Sequence, residues 1–422
     1  MIESDDRSLQ QWLDYQLRLH PRAVDLGLER VRRVGERLGV LAPRATVITV
    51  AGTNGKGSSV AMLEAILAGA GYQVGTYTSP HLIRYNERIR INGTPVSDEQ
   101  LVAAFNAIDR AREDTLLTFF EFGTLAALWL FGQQFLDAII LEVGLGGRLD
   151  ATNAVDADIA LITAIDVDHA DWLGDDREAI GREKAGILRS GRPAVVSDPN
   201  PPRSVLEVAE AQAVPLALAG RDFHWRRHRV LWDYEGGVRL NGLPEPALPG
   251  DFQLQNAAGV LAVLERLPVQ FYLTRTHIER GLRQVRHPGR LQHLQVAGQS
   301  WLVDVAHNPQ GARALADYLA GRPERGWQCV FSALNDKDVR PMVEAVAPHV
   351  AHWHVAPLED ARAMPLDALK EALRAAGVDE SAVTPHEHLD AAVAAARQAQ
   401  APVLAWGSLV TVGGVLERLG HG

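Results

Sequence analysis

The sequence predicts an α/β protein of two domains: an N-terminal domain on a P-loop-type, mostly parallel sheet, and a smaller C-terminal Rossmann-like α/β domain. The chain has 422 residues, and a chain of this length is usually too long to fold around a single hydrophobic core. Runs of β-branched residues alternate with helix-period segments, which is typical of βαβ units. This alternation starts again after the segment 287–290, His-Pro-Gly-Arg, so we divide the chain into domains 1–289 and 290–422.

Local patterning predicts the N-terminal elements in order. Residues 9–38 have helical spacing, interrupted by the dipeptide His20–Pro21. A β-branched run at 46–50, a glycine-rich turn, a helix-period stretch at 59–70 and a second strand at 73–78 form one βαβ unit. The other predictions are strands at 138–143, 159–165 and 193–197, helices around 127–131 and at 256–267, and an antiparallel hairpin within 222–238.

After residue 290 the same alternation returns. Alanine-rich segments with helical spacing separate short apolar runs, which predicts a second sheet of parallel strands. No long linker, internal repeat or low-complexity tract interrupts the sequence. Strands are predicted at 301–305, 328–331, 352–355 and 403–406, and helices at 311–319, 366–376 and 391–399.

Composition excludes several other classes of protein. Apolar residues make up 47% and charged residues 22%, a balance typical of globular proteins. The apolar runs are too short for a membrane helix, and the acidic start predicts no signal peptide. A single cysteine, Cys329, excludes an internal disulfide. We therefore expect a cytoplasmic protein, and the formal charge of −10 argues against a nucleic-acid partner.

The strongest single motif is the glycine-rich segment 52–58, Gly-Thr-Asn-Gly-Lys-Gly-Ser, which links the first strand to a helix. Glycines let backbone N–H groups approach phosphate oxygens, and the helix start adds a positive dipole. The amine of Lys56 would reach the β- and γ-phosphates. The spacing departs from the usual P-loop, because Val50 replaces the first glycine and Gly57 separates Lys56 from Ser58. An ordinary tight turn is the alternative.

Lysine is rare in this chain, which draws attention to individual lysines. Lysine is a compact charge whose pKa falls on burial, unlike that of arginine. Where arginine fills most cationic positions, we expect a retained lysine to be needed as an amine. A solvated lysine beside Glu183 is the alternative for Lys184. The 42 cationic residues include only four lysines, Lys56, Lys184, Lys337 and Lys370.

Two of the predicted strands end in residues suited to a metal site. Glu142 ends one apolar strand, and Asp168 and His169 follow the next. A carboxylate at the carboxyl end of a parallel strand, beside a phosphate loop, is well placed for Mg²⁺. Imidazole is an unusual ligand for Mg²⁺, so His169 needs support from elsewhere. The alternatives are a strand-end cap for Glu142 and an ordinary loop histidine for His169.

Two further polar segments follow predicted strands. Ser79 opens the segment 79–82, which without context is a polar surface loop. In the second domain, Asp304, His307 and Asn308 lie where a strand ends and a helix begins. An Asn308 side chain that caps the helix is the simpler interpretation of the second segment, and it is compatible with a functional one.

Taken together, these segments resemble the dihydrofolate synthase and folylpolyglutamate synthase family, relatives of the Mur ligases. The resemblance covers nearly the whole chain. The matching segments occur in order at residues 25–27, 52–58, 78–82, 118–124, 141–153, 168–169, 183–187, 255–258, 288–290, 304–309, 336–338 and 407–411. Departures from the family pattern occur at Phe252, His287, Val305 and Ser332, and they concern base and glutamate contacts rather than the reaction class.

The resemblance implies a ligase that uses ATP to add L-glutamate to 7,8-dihydropteroate and to reduced folates through an acyl phosphate. Domain 1–289 would be the Mur-ligase-like ATP-binding domain with the pterin site, and domain 290–422 the glutamate side. Small molecules would be its only partners, and we expect a monomer. A Mur-type ligase acting on a cell-wall nucleotide is one alternative, although it usually carries a uridine-binding domain ahead of its phosphate loop. A nucleotide-binding scaffold without activity is the other.

The resemblance also implies roles for individual residues. The catalytic residues would be Lys56, Lys184 and His307. ATP would be bound by Gly52, Thr53, Asn54, Gly55, Gly57, Ser58, Asn256, Arg290 and Asp304. Two Mg²⁺ ions would be held by Ser79, Glu142, His169 and a carbamylated Lys184. The pterin site would be lined by Asp25, Leu26, Gly27, Thr118, Phe119, Phe120, Glu121, Leu149, Asp150 and Ala151.

One shared pterin site for both syntheses is a further expectation from the segments 25–27 and 118–124. Phe119, Phe120 and Phe122 would offer a flat apolar surface to the ring, and Glu121 would pair with its N–H donors. The alternative is that these aromatic side chains are helix core.

Overall fold

The computed structural model describes residues 7–168, 170–174 and 176–421. The described chain divides into two compact units. The first contains the chain up to His81, Tyr85–Ala247 and Gln253–Val285, and the second contains Leu82–Arg84, Leu248–Phe252 and the chain from Arg286 onwards. The predicted division into domains 1–289 and 290–422 stays a prediction.

The first unit is built on an eight-stranded sheet. Its strands are β1 (Thr46–Ala51), β2 (Val74–Tyr77), β3 (Ile89–Ile91), β4 (Thr94–Pro95), β5 (Ala138–Glu142), β6 (Ile159–Ile162), β7 (Ala194–Val196) and β8 (Leu216–Leu218). They lie in the order β4-β3-β2-β5-β1-β6-β7-β8. The strands from β2 to β8 in this order run parallel to one another, whereas β3 is antiparallel to both of its neighbours, β2 and β4. β1 is central and fully buried, as its β-branched run predicted.

Strand register determines which loops meet at the carboxyl edge of this sheet. Val50 of β1 pairs with Glu142 of β5, and Ala51 pairs with Ile162 of β6. Tyr77 of β2 pairs with Leu141 of β5. The loops that follow β1, β2, β5 and β6 therefore leave the sheet side by side, where ligands bind in open α/β sheets.

Helices cover the sheet of the first unit and contribute to two apolar cores. The break between the first two helices falls at His20 and Pro21, as predicted. The fourth, sixth, eighth and tenth helices were not predicted from the sequence. The helices are α1 (Leu9–Leu19), α2 (Glu29–Leu38), α3 (Lys56–Gly69), α4 (Asp98–Arg112), α5 (Phe119–Gly132), α6 (Ala170–Leu173), α7 (Arg177–Lys184), α8 (Arg203–Ala211), α9 (Phe252–Leu264) and α10 (Arg275–Gln284).

A small antiparallel sheet occupies the region predicted to be a hairpin. It has three strands rather than two: β9 (His224–His228), β10 (Leu231–Glu235) and β11 (Arg239–Pro244). Trp232 and Tyr234 of the middle strand are fully buried, whereas most of β9 is exposed. The third strand was missed because its polar residues and glycine obscure the alternation.

The second unit is a separate α/β layer with a six-stranded sheet. Its strands are β12 (Gln292–Val296), β13 (Gln299–Asp304), β14 (Trp327–Phe331), β15 (Val350–Val355), β16 (Val383–Pro385) and β17 (Val403–Trp406), in the order β12-β13-β17-β14-β15-β16. All neighbours are parallel except β12 and β13. Its helices are α11 (Pro309–Ala320), α12 (Val339–Val346), α13 (Leu366–Ala375), α14 (Leu389–Gln398) and α15 (Leu409–Arg418). The predicted fold class is confirmed. Within the described residues, no helix combines the length and apolarity that a membrane span requires.

Candidate active site

The phosphate-loop candidate has a backbone that two glycines make possible. Gly52 has φ 153° and Gly55 has φ 93°, both in the region that disfavours side chains. A Cβ atom on Gly52 would lie 1.8 Å from Thr163 Oγ1, and one on Gly55 would lie 2.4 Å from Asn256 Oδ1. Helix α3 begins directly after Gly55, so its first N–H groups face the loop.

Lys56, the first residue of α3, folds its side chain back over this loop. Its Nζ donates to the carbonyl oxygens of Gly52 at 2.9 Å and Thr53 at 3.2 Å. Thr53 connects the loop to the segment after β6. Its hydroxyl donates to the backbone carbonyl oxygen of Asp166 at 2.8 Å and accepts from the backbone N–H of Asp166 at 3.1 Å. A cationic amine beside a glycine-rich turn at the start of a helix is an arrangement suited to a polyphosphate.

Helix α9 supplies buried amide groups to the same loop. Gln253 Nε2 donates to Ser58 Oγ at 3.2 Å, and Asn256 Nδ2 donates to Gln253 Oε1 at 3.0 Å. Both amide side chains are almost fully buried. Asn256 was predicted from the sequence and Gln253 was missed, although it lies one helical turn before Asn256 on the same face.

The loops after β2 and β5 bring two predicted metal ligands together. The backbone N–H of Ser79 donates to Glu142 Oε2 at 3.2 Å, and Glu142 is 5% exposed. A hydroxyl and a carboxylate are hard oxygen donors of the kind that Mg²⁺ prefers, so this pair fits a Mg²⁺ ion. His169, the third predicted ligand, lies outside the described residues. Within the described part of the chain, no group of three or more His, Cys, Asp and Glu side chains could hold a metal.

Lys184 is buried at the end of α7, with only 4% of its surface exposed. Burial, followed by the charge of Lys56, lowers its pKa to about 7, against the opposing charges of Asp168 and Asp150. A lysine amine with a pKa near 7 is about half neutral, and so nucleophilic, at pH 7. The alternative of a solvated lysine is therefore wrong.

Asp150 organises the loop after β5. Its Oδ2 accepts from the backbone N–H groups of Gly144 and Leu145, and its Oδ1 accepts from the N–H and hydroxyl of Thr152, at 2.6–3.0 Å. Burial raises the pKa of this carboxyl. The Asp150 carboxylate is thus hydrogen-bonded within the loop itself. Leu149 and Ala151 flank it in the sequence and belong to the same loop.

The two predicted pterin segments are joined by a residue that sequence reasoning missed, Arg30 of α2. Its guanidinium contacts Asp25 Oδ2 at 2.8 Å and donates to both oxygens of Glu121, at 3.2 and 3.3 Å. Glu121 is 3% exposed and also accepts from the Thr118 N–H at 2.8 Å, which caps α5. Pairing of Glu121 with a pterin ring stays a prediction, and this carboxylate already has two partners.

The three phenylalanines at the start of α5 have different surroundings. Phe122 is fully buried among Trp12 and Phe105, so its predicted place on a ligand surface is wrong and the helix-core alternative is right. Its position on the helix points it into the apolar core. Phe119 and Phe120 are half-buried. The Phe120 ring lies where a Cβ atom on Gly144 would be 2.6 Å away, so it meets the loop that Asp150 organises.

The second unit positions its own predicted residues around the end of β13. Asp304 is 7% exposed and accepts from the N–H groups of Leu291 and Ala306, each at 2.8 Å. Burial raises the pKa of Asp304, and the charges of Arg290 and His307 oppose this. His307 Nδ1 donates to the Val305 oxygen at 2.9 Å. This bond holds a proton on Nδ1 and orients the ring.

Asn308 caps the helix that follows β13. Its side chain accepts from the Gly311 N–H at 2.8 Å, and Pro309 stands at the first helical position. The capping role considered from the sequence is confirmed. The cap fixes the direction in which α11 leaves the strand that carries Asp304.

Comparison with known proteins gives matches along nearly the whole chain. Residues 50–264 match the Mur ligase middle domain, and residues 289–413 match the Mur ligase glutamate ligase domain. The dihydrofolate synthase/folylpolyglutamate synthase of Escherichia coli K12 is 44% identical over 411 residues, which cover 97% of this chain and 95% of that protein. The chain belongs to this family of Mur ligases.

Solved structures of family members have the same fold. Escherichia coli FolC in complex with DHPP and ADP has a TM-score of 0.92 and 41% identity, covering 99% of this chain and 98% of that one. The bifunctional enzyme of Yersinia pestis, complexed with AMPPNP and a Mn ion, has a TM-score of 0.91 and 42% identity, and each chain is covered completely. The family recognised from the sequence is therefore confirmed, and the family is one of ligases.

Proposed function

We propose that this protein is a Mg²⁺-ATP-dependent ligase that joins L-glutamate to 7,8-dihydropteroate and to reduced folates. The observation that supports it most is the pairing of the phosphate-loop geometry at Gly52–Ser58 with a buried Lys184 of lowered pKa. Similarity to bifunctional enzymes over 97% of the chain supports the choice of substrates. A scaffold without activity would not need a buried lysine beside its loop.

The first step of the proposed reaction is phosphoryl transfer. A carboxylate oxygen of the acid attacks the γ-phosphorus of ATP, the bond from that phosphorus to the bridging oxygen breaks, and ADP leaves. The N–H groups of the loop and the Lys56 amine neutralise charge on the phosphate oxygens. Mg²⁺ would be held by Ser79 and Glu142, with His169 as a further ligand, and when bound would supply charge stabilisation.

The second step is amide formation. The amine of L-glutamate loses a proton and attacks the acyl-phosphate carbon, and the tetrahedral oxyanion then expels phosphate. We place L-glutamate at the second domain, 290–422, where His307 would orient it. Contacts to ATP would come from Asn256, Arg290 and Asp304. Both acids would use one pterin site, formed by the residues around Asp25, Phe120 and the loop of Asp150.

We further propose that Lys184 is carbamylated. The ammonium form first loses a proton, and the neutral amine then attacks CO₂: a C–N bond forms, one C–O π bond of CO₂ breaks, and the nitrogen loses a second proton. The local charge thereby changes overall from +1 to −1. The resulting carboxylate would hold a second Mg²⁺. Burial and the low pKa support this, since an ammonium ion cannot attack CO₂.

Isotope transfer tests the reaction sequence. Dihydropteroate labelled with ¹⁸O in its carboxylate, incubated with enzyme, Mg²⁺-ATP and L-glutamate, should deliver one ¹⁸O atom to the phosphate released in each turnover. Phosphate without label would exclude the acyl phosphate. A parallel incubation with a reduced folate monoglutamate tests the shared site, because glutamate addition to the folate alone would restrict the function to folylpolyglutamate synthesis.

A further inference from the structure

Three histidine side chains lie on one face at the edge of the six-stranded sheet in the second unit. His352 and His354 alternate along β15, and their ring centres are 5.0 Å apart. His386 directly follows β16, and its backbone N–H donates to the Val355 oxygen at 2.8 Å, which holds it beside the end of β15. None of these residues belongs to the ligase site proposed above.

Two of these rings face each other through nitrogen atoms. His354 Nδ1 and His386 Nε2 are 3.2 Å apart. A metal ion about 2.0–2.1 Å from each nitrogen would subtend an angle of roughly 100°, close to that of a tetrahedral zinc site. The observed separation is that of a hydrogen bond between the two rings, and a metal ion would take the place of the shared proton.

Gln328 of β14 fixes the tautomer of His354 in the form that a metal needs. Gln328 Oε1 lies 3.1 Å from His354 Nε2, and a carbonyl oxygen only accepts, so Nε2 carries the proton. The lone pair is then on Nδ1, which faces His386. Metal-bound histidines are usually oriented in this way by an acceptor on the other ring nitrogen.

His386 is more exposed to solvent than His354, which gives a metal ion a route to both rings. His354 is 6% exposed, while His386 is half-buried and so accessible to solvent on one side. His352 is already held by Thr384, whose hydroxyl is 2.8 Å from His352 Nε2. The protein thus offers two nitrogen ligands here and leaves the remaining positions to water.

We propose that His354 and His386 form a binding site for a borderline transition-metal ion of the Zn²⁺ class, which cross-links β15 to the segment after β16. Imidazole suits Zn²⁺, Ni²⁺ and Cu²⁺ and disfavours Mg²⁺, so Mg²⁺ needed by the ligase reaction does not fill the site. The proposal does not depend on the ligase function.

Calorimetric titration of the full chain with Zn²⁺, in the presence of excess Mg²⁺, tests this site. Wild type should bind one Zn²⁺ at this site, and His386→Gln should weaken that binding at least about tenfold. His388→Gln is the matched control, because His388 is exposed and lies only two residues away; it should bind like wild type. Zn²⁺ should also raise the Tm of wild type and of His388→Gln, but not that of His386→Gln.

A second variant keeps the test independent of folding defects. Gln328→Glu strengthens the acceptor behind His354 and should tighten Zn²⁺ binding several-fold, which a hydrogen-bonded histidine pair alone would not produce. Cu²⁺ bound at the site should show hyperfine coupling to two nitrogens. Unchanged Zn²⁺ affinity in His386→Gln, or no binding by wild type up to millimolar Zn²⁺, would overturn the proposal. Ligase activity of His386→Gln in Mg²⁺ alone should match wild type.

Discussion

The phosphate loop of the first unit and its Arg30 cluster, which consists of Arg30, Asp25 and Glu121, are formed in different ways. In the loop, a strand end, two glycines and a helix start follow one another within a few residues, so the backbone itself forms the site. In the cluster, Arg30 reaches Glu121 across 91 positions of sequence. Backbone-made sites are therefore predictable from local pattern, whereas sites made by side-chain pairing depend on the tertiary fold.

The largest expected effect comes from the loop. Lys56→Ala should reduce turnover roughly 10²-fold or more, because the variant loses a positive charge over the phosphates while the backbone of the loop stays in place. Steady-state turnover and the Tm of the purified variant check this. Lys370→Ala is the matched control, since that lysine is half-exposed and remote in sequence, and it should behave like wild type. Near-normal turnover in folded Lys56→Ala would contradict the phosphate-loop interpretation.

Lys184 tests whether the loop needs a second, chemically modified lysine. Lys184→Arg keeps a cation but cannot form a carbamate, so it should lose most activity, of the same order as Lys56→Ala. Lys184→Ala should regain part of its activity when a short carboxylic acid is added. Mass spectrometry under native conditions should find one CO₂ adduct on wild type and none on either variant. Full activity of Lys184→Arg would show that carbamylation of Lys184 is not needed.

The same comparison explains what the sequence could and could not predict. The fold class, β1, α3 and Lys56 follow from β-branched runs, helical spacing and glycine position, all of them local signals. Arg30 carries no local signal, since it is one among many arginines, and the only local signal of Gln253 is its position one helical turn before Asn256. Phe122 was assigned to a ligand surface because the composition of an aromatic cluster does not show which ring points inward.

Arg30 tests the site that is made by side-chain pairing, and its substitution should have a moderate effect on KM. Arg30→Ala leaves the buried Glu121 without its cation, at a cost on the order of 1–3 kcal/mol, so the KM for dihydropteroate should rise about tenfold. The KM for ATP should change less than twofold. Arg30→Lys should restore only part of the affinity, because an ammonium cannot contact two carboxylates as a planar fork does. Equal changes in both KM values would indicate general loss of structure rather than a positioning role.

The smallest effect is a pH dependence of carbamate formation. The pKa of Lys184 is lowered from 10.5 to about 7 by burial, so the folded protein favours the neutral amine. The stability contributed by the neutral amine is complete above the unfolded pKa and is lost as pH falls from 10.5 towards 7. At a fixed concentration of dissolved CO₂, reactivation of CO₂-depleted enzyme should therefore be about tenfold faster at pH 8 than at pH 6. A difference of about a hundredfold between these two pH values, as for an amine with a pKa of 10.5, would contradict the lowered pKa.

Release of ADP in response to each candidate acid shows directly which substrates this ligase uses. Purified protein with Mg²⁺-ATP and L-glutamate is supplied separately with 7,8-dihydropteroate, with a reduced folate monoglutamate and with a cell-wall nucleotide precursor. We expect ADP release with the first two acids, matched one for one by glutamate addition detected by mass spectrometry, and none with the third. ADP release that depends on the cell-wall precursor alone, or on no added acid, would contradict this expectation.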